Sequence, residues 1–185
     1  MSQRLEESLR IVAKNGREPR VVMVSSGGMY NTAFPDWSIA ASIQSPNSKS
    51  PPKYDGQLAY AYAKRGQVLL CERMSKLEIN SPSSSERIIY CSCHPGWTAT
   101  PGVSSAYGEQ SKYLEPLRTL WQGSEGICWL CVVPRDDIEP GAFYLDRKPQ
   151  RKHLGGPFFT EGSFTKNSEA EVDKMMEELA KAQIE

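Results

Sequence analysis

No apolar run in the 185-residue chain approaches the roughly 18 residues needed to cross a bilayer, and no charge of one sign dominates, with 22 Lys and Arg against 22 Asp and Glu. The first absence argues against a membrane span. The second removes the net field that would draw nucleic acid or an anionic surface, so neither is an expected partner. The amino-terminal stretch MSQRLEESLRIVAKNG is amphipathic and has no signal-peptide core. Histidine is scarce: His94 has no second histidine near it, and His153 sits in a basic stretch, so His94 reads as loop structure rather than as a base or ligand. The five cysteines are an odd number in apolar surroundings, which does not suit a secreted disulfide framework. They read as reduced thiols in an intracellular, cytoplasmic protein. Cys91 with Cys93 on one strand face and Cys128 with Cys131 one helical turn apart would allow a four-cysteine zinc site. Their segments, IIYCSC and ICWLCVV, lack the tight glycine-bearing turns of zinc knuckles, so all four are expected to be small core hydrophobes and no metal is expected.

What is present is an alternation of helix and strand. Leu5, Leu9 and Val12 recur at helical spacing before Gly16, and RVVMVSS then gives a short apolar run suited to a parallel strand covered on both faces. Residues 27–59 are rich in Ser, Pro, Asn and Gly and read as one long surface loop. QLAYAYAKRGQVLLCERMSKLEI should form the principal helix and RIIYCSC a second strand. HPGWTATPG follows as a Pro-Gly loop, QGSEGICWLCVVP as a buried helix and GAFYLDRK as a third strand. At the end, Ser168 three residues before Glu171 is a capping-box signature for a terminal helix over 167–185. The length suits a single domain, 1–185, with a parallel sheet between helices.

The principal helix places Tyr60 four residues before Lys64. At that spacing two side chains share a face, their β-carbons about 5 to 6 Å apart. A free phenol, with a pKa near 10, is a poor proton shuttle at neutral pH, and an adjacent ammonium lowers that value by stabilising phenolate. Tyr60 is thus a candidate general acid or base. The pair follows a strand ending in Ser25 and Ser26, and precedes one ending in the Pro-Gly loop. The carboxyl ends of neighbouring parallel strands are where open α/β sheets bind ligands.

In this order RVVMVSSGGM, YAYAK and RIIYCSCHPGWTATPG resemble the short-chain dehydrogenase/reductase family, and HPGWTATPGV, EGICWL and FYLDRKPQRKHL look closest to its member-12 type. The resemblance covers most of the chain. It implies a partial Rossmann-like α/β fold, a doubly wound parallel sheet, and an oxidoreductase using NAD or NADP on a small-molecule carbonyl or alcohol. It also implies roles: Ser26 holding the substrate oxygen, with Ser25 as the fallback, Tyr60 moving the proton, and Lys64 holding the nicotinamide ribose. Pro95, Gly96, Thr98 and Thr100 would contact the cofactor together with Tyr60 and Lys64. Ala63 stands where the family often has serine, and the segment between Ser26 and Tyr60 is longer than in many members. Family members often pair through the helix bearing this motif, so a homo-oligomer is open.

The family also begins with a strand and a glycine-rich turn for the pyrophosphate. Nothing before RVVMVSS supplies it, because residues 1–19 contain a single glycine, Gly16; nor does Asn15 replace the asparagine that the family places on the preceding helix. The expectation is therefore a carboxyl-terminal half, lacking the amino-terminal dinucleotide-binding strands and binding dinucleotide weakly or not at all by itself. Its RVVMV strand would then be an exposed sheet edge. Two other functions remain open at this point: an inactive relative that pairs with another chain, and a sugar-nucleotide epimerase or lyase, for whose larger substrate domain the remaining chain leaves little room. Gly27 and Gly28 read as a plain turn rather than a phosphate nest, and DRKPQRK as a solvated loop face. Trp97, Trp121 and Trp129 read as packing residues, with Trp97 the one to line a pocket.

Overall fold

Two five-residue apolar runs, Arg20–Val24 (β1) and Ile89–Cys93 (β2), pair in parallel with Arg20 opposite Ile89 and Val24 opposite Cys93. Phe143–Leu145 (β3) adds in parallel on the far side of β2, and Lys148–Gln150 (β4) turns back antiparallel to it. The sheet order is β1-β2-β3-β4. The computed structural model describes residues 2–41, 55–81, 86–154 and 165–182. Around these strands lie Ser2–Lys14 (α1), Trp37–Ala40 (α2), Gly56–Asn80 (α3), Pro101–Tyr107 (α4), Leu120–Val132 (α5) and Glu169–Lys181 (α6). This mostly parallel α/β arrangement is a partial Rossmann-like fold, and none of its described helices is long and apolar enough to cross a membrane.

The chain forms two compact units, residues 1–27 with 71–150, and residues 28–70 with 151–185. In the first, strand alternation turns Ile89, Cys91 and Cys93 toward Leu130 and Val133 of the α5 region, with Ile138, Ala142 and Tyr144 completing the core. Burial pushes the Cys91 and Cys93 thiols up to about 12, as expected of inert core cysteines. Tyr90 is buried too, and desolvation lifts its phenol to about 12. Near it, the Arg10 guanidinium holds both oxygens of Glu78 at 2.8 and 2.5 Å, joining α1 to the end of α3. Glu78, only 5 % exposed, also accepts the Ile88 N–H at 3.0 Å, which ties the lead-in of β2 to the same carboxylate.

In the second unit Leu69 of α3 packs on Val172 and Met175 of α6, with Phe34 against them. The expected capping box forms: the Ser168 hydroxyl accepts the Glu171 N–H, and the Glu171 carboxylate accepts the Ser168 N–H. Asn167 exchanges two hydrogen bonds with the Phe34 backbone, and Lys174 pairs with Asp36, so α6 is stitched to the 34–37 segment.

Several expectations are corrected. The segment read as a loop over 27–59 contains a 3-10 turn at Gly27–Asn31 and α2, and α3 already begins at Gly56, where the Asp55 carboxylate accepts the Gln57 and Leu58 amides. Residues 42–54 of that segment lie outside the described residues. Strand β1 is only partly buried, because it lies at the edge of the described sheet; β2 is the strand covered throughout. The terminal helix is Glu169–Lys181, shorter than 167–185. DRKPQRK is no plain loop face but contains the tight turn at Asp146 and Arg147 and the strand β4. Finally α5 is not a buried helix: Leu120, Trp121 and Val132 are 65, 70 and 80 % exposed, and Cys128 and Cys131 are exposed thiols.

Burial alone would raise the Glu78 carboxyl, but its bonds to Arg10 and Ile88 outweigh that and leave it below its ordinary value of 4.5. A carboxyl lowered by folding stabilises the fold above its unfolded pKa, and that contribution is lost as pH falls through the folded value. Acid unfolding followed by circular dichroism should therefore steepen below about pH 4.5 in the native chain and flatten in Glu78→Gln. Arg10→Ala, which strands the carboxylate, should cost about 3 kcal/mol in urea unfolding at neutral pH; a loss under about 0.5 kcal/mol, as for an exposed pair, would show that the clamp is superficial.

Candidate functional site

Parallel pairing brings the carboxyl ends of β1 and β2 together. The Ser25 N–H donates to the Cys93 carbonyl at 2.7 Å, and a Cβ added at Gly27 would lie 4.0 Å from the His94 ring. Ser25 is buried, at 2 % exposure, whereas Ser26 is partly exposed. Of the two serines, Ser26 is the partly exposed one, next to Gly27, which lies near the His94 ring.

That loop is shaped from below by His94 and from one side by Arg118. His94 stacks on Phe143 at 5.2 Å and accepts the Gly96 N–H at its Nδ1. Burial, followed by the Arg118 charge, keeps its pKa below the ordinary value, so the ring stays neutral and accepts. Gly96 has φ of +72°, and a Cβ there would stand 2.6 Å from the Arg118 Nε, so both conformation and space require glycine. Arg118 is fixed by its backbone bonds to Trp97 and Ala99 and by pairing of its guanidinium with both Asp146 oxygens. The same guanidinium holds the Asp146 carboxyl below its usual range. Asp146 and Arg147 form a two-residue hairpin turn with φ of +50° and +62°, the left-handed pair that tight hairpins require.

The hydroxyls of the loop already have partners. Thr98 is 7 % exposed, donates to the Pro95 carbonyl at 3.3 Å and packs where a Cβ at Gly123 would clash. Thr100 caps α4 by accepting the Val103 N–H. Pro95, Gly96, Thr98 and Thr100 thus form one braced turn next to Ser26.

Tyr60 and Lys64 lie in the second unit, on α3. The Lys64 ammonium is 5.4 Å from the Tyr60 ring centroid; Tyr60 is 51 % exposed and Lys64 partly buried. The next residue, Arg65, is fully buried and donates to the Lys152 carbonyl at 2.7 Å, to Thr165 at both its carbonyl and hydroxyl, and to His153 Nδ1. A guanidinium only donates, so the His153 ring accepts here. Arg65 thereby pins the helix turn bearing the pair to residues 152–153 and 165.

Sequence reasoning passed over Arg118, Asp146 and Arg65. Arg118 and Asp146 are 28 residues apart with no shared periodicity, and Arg65 looks like any helix cation beside Lys64. Among the described residues no group of three or more His, Cys, Asp or Glu side chains could hold a metal ion. Of the four cysteines weighed for zinc, Cys91 and Cys93 are core residues, while Cys128 and Cys131 are surface thiols on α5. Trp121 is likewise exposed, not a packing residue; Trp129 packs on Tyr144.

Two curated proteins align along nearly the whole chain. Dehydrogenase/reductase SDR family member 12 of Bos taurus is 35 % identical over 182 residues, covering 95 % of this chain and 49 % of the relative. The Homo sapiens protein of the same name is 35 % identical over 170 residues, 91 % of this chain and 47 % of its own length. This is a short-chain dehydrogenase/reductase relative. The chain spans about half the length of the curated family members it matches. No family model and no solved structure matches it.

Within this family relative the braced turn makes a direct prediction. Gly96→Ala should lower stability by about 2 kcal/mol, from the left-handed backbone and the displaced guanidinium. Adding Arg118→Ala should cost less than the sum of the two single changes, measured by chemical denaturation. Strict additivity would mean that Arg118 does not brace the turn.

Proposed function

We propose that the chain carries the substrate-side groups of an NAD(P)-dependent oxidoreductase that interconverts a carbonyl and an alcohol. The observation that carries this reading is the Tyr60 and Lys64 pair one turn apart on α3, with the ammonium 5.4 Å from the phenol ring, in a relative of the short-chain dehydrogenase/reductase family. Nicotinamide, when bound, supplies the hydride. The chain's own residues do the rest. Tyr60 gives its hydroxyl proton to the carbonyl oxygen as that oxygen gains electrons, and takes one back in the reverse direction. Ser26, the partly exposed serine just after β1, donates a hydrogen bond to the same oxygen. Lys64 holds the ribose hydroxyls.

The residues present fit the nicotinamide half of such a cofactor. Thr100 sits, partly exposed, at the start of α4, and Gly96 lets the Pro-Gly turn close against Arg118 beside it. Because the Thr98 hydroxyl is turned to the Pro95 carbonyl, the contribution of Thr98 is through its backbone and through the shape it gives the turn.

A second reading has its own observation. Strand β1 lies at the edge of the described sheet, and on α5 Leu120, Trp121, Cys128, Cys131 and Val132 form an exposed, mainly apolar side. Such a combination suits an inactive relative that pairs with another chain through strand addition and an apolar helix contact.

Turnover decides between them. NADPH-dependent reduction of a carbonyl should fall by about 10²- to 10⁴-fold in Tyr60→Phe, while NADPH affinity stays close to that of the unaltered protein. Undiminished turnover in Tyr60→Phe removes Tyr60 from the reaction.

A further inference from the structure

The second unit contains a cavity of about 140 Å³ between the 34–37 segment and α6. Its apolar walls are Phe34, Pro35 and Trp37 on one element and Met175 on the other. These walls are fixed. Asn167 bonds both backbone groups of Phe34, at 2.8 and 2.7 Å, and the Phe34 ring lies so close to α3 that a Cβ added at Gly66 would stand 3.0 Å from it. Met175 is buried in a cluster with Leu69 and Val172. Three exposed charged side chains complete the lining: Asp36, Glu171 and Lys174. The Lys174 ammonium and then Ser38 pull the Asp36 carboxyl down to about 2, and bonds from Ser168 hold the Glu171 carboxyl below its ordinary value, so both are ionised at neutral pH. Lys174, already engaged with Asp36, is the single cation against these two carboxylates, and the lining carries an excess of negative charge.

We infer that this cavity binds a small organic cation, an alkylated ammonium group, with its methyl groups against Phe34, Trp37 and Met175 and its charge balanced by Asp36 and Glu171. A cation against an aromatic face is attracted by the ring quadrupole, most strongly for indole. The methyl groups gain by leaving water, and a quaternary nitrogen has no N–H bonds to surrender on entry. A carboxylate or phosphate would meet two carboxylates, and a neutral group of the same shape would leave the excess charge unanswered. The cavity shares no residue with Ser26, Tyr60, Lys64 or the Gly96 turn, so its occupancy is independent of the oxidoreductase reading.

The test is a titration of the intact chain, at constant ionic strength, with choline and with neohexyl alcohol, the neutral compound of the same shape in which carbon replaces nitrogen. Binding is read from the Trp37 indole N–H and the Met175 methyl resonances, with the indoles of Trp97, Trp121 and Trp129 as internal controls. Trp37 and Met175 should move saturably with choline, and the alcohol should bind at least about tenfold more weakly. Trp37→Ala, read from Met175, should weaken choline by about tenfold. Glu171→Gln, which keeps a side chain suited to the capping box, should weaken choline by about fivefold and leave the alcohol unchanged. Lys174→Met, which frees Asp36 from its internal cation, should tighten choline by about threefold, a gain that a loosened fold would not give. Equal binding of choline and the alcohol overturns the inference. So does a still Trp37 while another indole moves, a response to choline that never saturates, or unchanged choline affinity in Glu171→Gln.

Discussion

Parallel pairing of β1 with β2 is the constraint on which the first unit depends. Two parallel strands in register end at the same side of the sheet, so Ser26 and the His94–Thr100 turn are neighbours by geometry, not by sequence distance. A one-residue slip would turn Ile89, Cys91 and Cys93 away from the α5 core and bring Tyr90 and Ser92 in. Register is therefore set by the same burial that forms the core. The Arg10–Glu78 clamp supports it from the other side, because the carboxylate that holds α1 also accepts the amide that starts β2.

Rigidity around the proposed chemistry comes from charged side chains with backbone duties. Arg118 closes one side of Gly96 and is itself held by Asp146, whose left-handed backbone is part of the β3–β4 hairpin. Arg65 performs a comparable task in the second unit, where a buried guanidinium collects the Lys152 and Thr165 carbonyls under the helix turn that presents Tyr60 and Lys64. In both places an arginine is used for its fixed fork of donors. Neither is required by the resemblance; Arg65 satisfies loop carbonyls that have no regular structure to pair them, whereas Arg118 pairs with a carboxylate.

The parts of the molecule legible in the sequence are those governed by local rules. β1 and β2 were marked by short apolar runs, α3 by helical spacing and α6 by the Ser168 and Glu171 box, and each is present. The family relationship was legible for a similar reason, since its motifs are short and ordered. What misled was exposure. The apolar segment 120–132 reads as buried, yet a helix packs on only as much neighbouring surface as its unit offers, and here Gly123 and Leu130 are buried, Ile127 and Trp129 are partly covered, and the side bearing Leu120, Trp121 and Val132 is exposed. The hairpin at Asp146 and Arg147 was hidden because it lacks the Asn-Gly or Asp-Gly signature. Arg118 with Asp146, and Arg65 with Thr165, are pairings across 28 and 100 residues that no periodicity encodes.

The central proposal, which rests on the family resemblance and not on the arrangement of the two units, is that Ser26, Tyr60, Lys64 and the Gly96 turn serve one ligand. Reduced nicotinamide mononucleotide, which carries the reactive ring and its ribose without the adenine half, addresses those residues alone. Titrated into the isotopically labelled chain, it should shift the resonances of Ser26, Tyr60, Lys64 and Gly96 along one saturation curve. Shifts confined to Tyr60 and Lys64, or to Ser26 and Gly96, or a response that rises without saturating, would contradict a shared site.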